Sequence, residues 1–193
     1  MTAVFDKLLA FHCAPALTGL KPANLFSYRK DSSSDIEPVI IDFNRKFNPL
    51  GLYIKKLCEC DRRYLFLVYD RKLSEENLLI PERETLLSYF GYTRDSSLEE
   101  KLDRLSDRIS NQGEFPHEIG LFLGYPIEDV EGFIRHNGKN YKFCGYWKVY
   151  GDVPQTCALF QSYTECREHI CGQLCEGVSI HQAVAYAHQT MKG

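Results

Sequence analysis

Two neighbouring apolar stretches, LYIKKLCE (52–59) and RRYLFLVYD (62–70), constrain the fold more than anything else in the chain. They flank the short polar turn Cys60-Asp61, so the pair predicts an antiparallel β-hairpin. The second arm is apolar on both faces, which places it in the centre of a sheet. ANLFSYR (23–29) predicts another strand, with Leu25 alternating against Phe26 and Tyr28. YKFCGYWKVYG (141–151) predicts a fourth.

The remaining segments carry helical spacing. A first helix over 2–11 aligns Val4, Leu8 and Phe11, and Pro15, Gly19 and Pro22 then leave room for at most one more turn. A second spans 36–47, with Pro38 in its first turn. Helices follow at 74–80, 82–90, 97–111, 116–123 and 127–136. In 97–111 the residues Leu98, Leu102, Leu105 and Ile109 form one stripe, and Glu100 and Arg104 fall at i,i+4 on the exposed side. A long helix from 153 sets Leu159, Tyr163, Cys166, Ile170 and Leu174 on one face and stops at Gly177, and a last one covers 179–190. Strands that do not alternate regularly with helices predict an α+β fold. The expectation is a single domain over 1–193, with a small mixed or antiparallel sheet of about four strands, helices packed around it, and a C-terminal helical segment.

Charge and patterning exclude several classes. The net charge is −3 with acids and bases intermixed, so there is no footprint for nucleic acid. No apolar run approaches the ~20 residues of a membrane span. Asp6 ahead of Lys7, with no basic leader, points to a cytosolic protein, where the eight cysteines are expected as reduced thiols.

The stretch FPHEIGLFLGYPIEDVEGFI (115–134) reads as helix, tight corner, helix. Pro116 and Glu118 suit a first helical turn, Gly124 a left-handed stop, Pro126 with Glu128 and Asp129 a restart, and Gly138 the second stop. Ile119, Leu121, Phe122 and Leu123 are apolar nearly all round, so the first helix is expected to be buried. His117 would then sit as a neutral imidazole beside Glu118, suited to proton transfer or to ligand contact. The competing reading is that both residues only cap the helix.

Three blocks together carry a resemblance: HCAPALTGLKPANLFS, FPHEIGLFLGYPIEDVEGFI and GYWKVYGD. In this order they resemble the signature blocks of an uncharacterised bacterial family of unknown function, common in clostridia-like Firmicutes. The resemblance spans nearly the whole chain. It implies a cytosolic bacterial protein of one domain and supplies no catalytic roles. It places His12, Cys13, Lys21, His117, Glu118, Trp147, Lys148 and Tyr150 inside the motifs.

The chemistry left to weigh is sparse. Cys13 precedes APALTGL and would gain thiolate character at a helix N-terminus, helped by His12 and Lys21; otherwise it is a small core side chain. On a strand, Tyr146, Lys148 and Tyr150 share one face, opposite Trp147 and Val149, which would line a pocket for a flat or anionic ligand or simply pack. Cys58 with Cys60, and Cys166 with Cys171 and Cys175, lack the spacing of zinc or iron–sulfur sites, so no metal is expected. No phosphate-binding, dinucleotide or nucleophile-elbow motif occurs, and no cofactor is named. Three readings stand. The first is a small-molecule-binding module whose pocket joins the Cys13 loop, the His117 helix start and the Trp147 strand, with Lys21, Glu118, Tyr146, Lys148 and Tyr150 as ligand contacts. The second is an enzyme with Cys13 as nucleophile and His117 as base. The third is a protein–protein adaptor docking through helices 153–190.

Overall fold

A fully apolar strand needs cover on both faces, and the fold supplies it. The computed structural model describes residues 3–30, 35–111 and 115–190. Strand β3 (Arg63–Asp70) lies in the middle of a three-stranded sheet, between β1 (Ala23–Arg29) and β2 (Leu52–Glu59). Both neighbours run antiparallel to β3 and are therefore parallel to each other. The chain crosses from β1 to β2 through helix α2 (Glu37–Phe47), then returns down the middle. The expected hairpin and the central place of its second arm are both present.

Side chains alternate across this sheet into two separate cores. Phe26, Ile54, Phe66 and Val68 face one cluster, and Leu57, Leu67 and Tyr69 face the other. The first cluster is closed by α1 (Ala3–Leu17), α2, and the pair α8 (Val153–Cys175) and α9 (Ile180–Thr190). The second is closed by α3 (Arg71–Leu78), α4 (Pro81–Tyr89), α5 (Leu98–Asn111), α6 (Ile119–Phe122) and α7 (Ile127–His136). A small two-stranded ribbon, β4 (Phe143–Cys144) with β5 (Lys148–Val149), stands apart from the main sheet. No helix among the described residues is long and apolar enough to cross a membrane.

Local chemistry sets the helix ends. The Asp70 carboxylate accepts from Leu73 N at 2.9 Å to open α3, and Asp152 accepts from Gln155 N at 2.9 Å to open α8. Ser97 and Glu100 bond reciprocally at the start of α5, a capping box. Each such cap contributes about 1 kcal/mol. At the end of α8, Gly177 N and Val178 N reach back to Leu174 O and Gln173 O, with Gly177 at φ +88°.

Several expectations need correction. Helix α1 runs through Pro15 to Leu17 instead of ending at residue 11. Proline removes one donor near the helix end, and burial of Cys13, Ala14, Ala16 and Leu17 outweighs that loss. The helix expected over 116–123 shrinks to 119–122, led in by a turn at His117 and Glu118. Residues 141–151 form a hairpin and not one strand, because the chain reverses around Gly145, whose N–H meets Trp147 O at 3.1 Å. Glu100 is engaged by Ser97, and Arg104 donates to Phe90 O at 2.7 Å, so the expected i,i+4 pair is replaced. On α8 it is Phe160, with Tyr163 and Ile170, that is buried, while Leu159 is only partly covered.

Candidate functional site

The three sequence blocks meet, and the residue that joins them is Tyr125. It follows Gly124, which holds φ +73° at the end of α6; a Cβ there would stand 2.5 Å from the Pro22 ring. Only glycine lets the corner close on the KP turn of the first block. Tyr125 then stacks on Trp147, with ring centres 4.3 Å apart, and Trp147 meets Phe160 edge-on at 4.5 Å. Buried Asp129, in the first turn of α7, locks the third block in place. Its carboxylate accepts from the Trp147 indole N–H at 2.7 Å and from the backbone N–H groups of Tyr150 and Gly151 at 2.7 and 2.8 Å.

Lys21 lies against this aromatic wall. It is 7% exposed, and its ammonium sits 5.2 Å from the Tyr125 ring centre and 5.5 Å from that of Tyr163. The other buried lysine, Lys101, donates to the main-chain carbonyls of Arg94 and Ser96. Lys21 has no carboxylate or carbonyl acceptor among the described residues. Burial pulls its ammonium down to about 8, partly opposed by the Cys13 thiol. The Tyr125 and Tyr163 hydroxyls also lack a protein acceptor among the described residues, and burial raises both phenols, Tyr125 to about 12.

These groups line a hollow of about 290 Å³ that also touches Phe11, His12, Asn24, Tyr146 and Arg167. That is the volume of roughly ten water molecules, the size of a small metabolite. The Arg167 guanidinium rests on Phe11 at 5.1 Å and on Tyr146 at 5.9 Å. Burial and then the Arg167 charge lower the His12 imidazole, favouring its neutral form. The lining carries two cationic side chains, three phenols and an imidazole, but no carboxylate.

A second hollow, about 300 Å³, shares Tyr125 and Tyr146 and is lined by Trp147 as well. His117 lies here, its ring 4.9 Å from that of Phe133. Lys148 lines the same space but donates to Gly138 O at 2.7 Å. The expected ligand contacts thus divide. Lys21 belongs to the first hollow, His117 and Lys148 to the second, and Tyr146 to both. Tyr150 lies outside both, its ring pressed on Gly132 and stacked on His136 at 5.8 Å. Glu118 is fully buried in an ion pair with Arg108 and accepts from the Tyr92 hydroxyl at 3.1 Å, so it serves the core.

Cys13 differs most from its expected setting. It sits in the last turn and a half of α1, not at a helix start, and is wholly buried beside Phe5, Leu9 and Ala14. Burial pushes its thiol up, and it lines neither hollow. Cys13 and His117 therefore share no space in which one could activate the other. All eight cysteines are free thiols. Among the described residues no group of three or more His, Cys, Asp or Glu is arranged to hold a metal. The C-terminal helices border a separate apolar groove of about 820 Å³ against α1, lined by Leu8, Phe11, Leu174 and Val178 and by none of the expected site residues.

Tyr125 and Arg167 were not singled out in the sequence, and Tyr163 was read only as part of the apolar face of the long helix. Tyr125 had a signal: a large aromatic between Gly124 and Pro126 belongs to no helix and must be buried by other elements. Arg167 had none, since a lone arginine on a long helix reads as solvated surface.

No curated protein and no solved structure matches the chain. A family model, described as a protein of unknown function (DUF3793), matches residues 9–184, a span that takes in all three blocks and both hollows, and the chain belongs to that family.

Proposed function

We propose that the protein is a binding module for a small anionic molecule, taken up in the hollow around Lys21. One observation carries this reading: Lys21, 7% exposed, lines a hollow together with phenols and a guanidinium and has no anionic partner among the described residues. An isolated buried charge costs several kcal/mol unless something pairs it. A carboxylate or phosphate group in the hollow would be that partner. Tyr125 and Tyr163 would supply hydrogen bonds, and their rings a flat apolar wall for a planar body.

The test is a thermal-shift screen of small mono- and dicarboxylates and phosphates against neutral amide and alcohol counterparts. The reading predicts stabilisation by a subset of the anions, lost in Lys21→Met and weakened in Arg167→Met. Equal response to anions and neutral counterparts, or anion binding unchanged in Lys21→Met, would defeat it.

A further inference from the structure

The Lys21 hollow holds more than a charge site, because an amine is also a nucleophile. We propose that Lys21 forms an imine with the carbonyl carbon of a small oxo-acid whose carboxylate is held by Arg167. The inference rests on the anion-binding reading and adds a covalent step to it. Lys21 is 7% exposed, carries no acceptor among the described residues, and shares one hollow of about 290 Å³ with the guanidinium and three phenols. A two- to four-carbon acid bound at Arg167 would lie in the same hollow, where Lys21 is the only primary amine among the described lining residues. Apolar surroundings favour the uncharged amine that such a step requires.

The step balances without any other reagent. The Lys21 nitrogen pair forms the new C–N bond, and one amine proton moves to the carbonyl oxygen to give a carbinolamine. Transfer of a second proton to that oxygen expels it as water and leaves the C=N bond. His12, on the wall of the hollow, is the side chain available to carry these protons. In the free protein, burial that holds the ammonium near 8 leaves about a tenth of Lys21 neutral at pH 7, against roughly one in 3,000 for an ordinary lysine at 10.5.

The test uses the full chain with glyoxylate and cyanoborohydride at pH 7, followed by mass spectrometry and peptide mapping. Glycolate, which has the same carboxylate but no carbonyl, is titrated separately as the binding control. The expected result is one reduced adduct per chain, on Lys21, formed at least about tenfold faster than on exposed lysines. It should be absent in Lys21→Met and Lys21→Arg, slowed about tenfold in Arg167→Met, and suppressed by glycolate. Circular dichroism of each variant confirms that it is folded. If glycolate binds and Lys21 takes no adduct, the imine is refuted while anion binding stands. If neither compound engages the hollow, both proposals fall.

Discussion

Lys21→Met should make the protein more stable, the reverse of what most substitutions at buried positions do. Methionine keeps an unbranched apolar stem in the space between Tyr125 and Tyr163 and removes the charge. Holding the ammonium at about 8 when its ordinary value is 10.5 costs the fold about 3 kcal/mol at neutral pH. Removing the charge should therefore stabilise the fold by up to about 3 kcal/mol at neutral pH. The pH dependence follows from the same values. Between about 8 and 10.5 the unfolded chain holds the Lys21 proton and the folded chain does not, so wild-type stability rises with pH across that window. Below about 8 the whole penalty is present. The advantage of Lys21→Met is thus largest at pH 7 and narrows toward pH 10. Urea unfolding at pH 7 and 9.5 measures this, followed by circular dichroism and by the fluorescence of Trp147, the single tryptophan. A Lys21→Met protein less stable than wild type at pH 7, or a gap that does not narrow with pH, would refute the reasoning.

Three other substitutions test the supports of the site. Glu118→Ala leaves the partly buried Arg108 guanidinium without its carboxylate and should cost about 3 kcal/mol in denaturant unfolding, most of it recovered when Arg108→Met is added. Asp129→Asn turns an amide N–H toward the Trp147 indole donor, so it should cost about 2–3 kcal/mol and shift Trp147 emission to the red; unchanged emission would count against the Asp129 lock. Gly124→Ala carries both a left-handed strain and the contact with Pro22 and should cost well over 1 kcal/mol by thermal unfolding. Gly51→Ala has the same φ sign but open space around it, so it should cost clearly less; equal costs would show that the Pro22 contact does not matter.

The hairpin, the central strand and the stripe of α5 were legible in the sequence because burial on defined faces imposes a period. The stop at Gly177 was legible for a related reason: left-handed backbone needs glycine. Pro15 was read as a break, yet tertiary packing of α1 against the sheet overrode it. Gly145 was the unread sign that 141–151 reverses, since glycine within a strand pattern marks a bend. The meeting of the three blocks was legible, but its chemistry was not. The sequence drew attention to Cys13 and His117 as reactive types, whereas the fold buried one in the core and gave the other a different hollow. What singles out Lys21 is the absence of an acceptor, and only the assembled neighbourhood reveals that.

The central claim is that Lys21 is a buried cation awaiting an anion. Side-chain NMR of Lys21, titrated against pH with and without oxalate, measures it most directly. The account predicts a midpoint well below 10.5 in the free protein and a clear rise when oxalate is added, because a bound anion stabilises the ammonium. An ordinary midpoint near 10.5, or one that oxalate does not move, would contradict it.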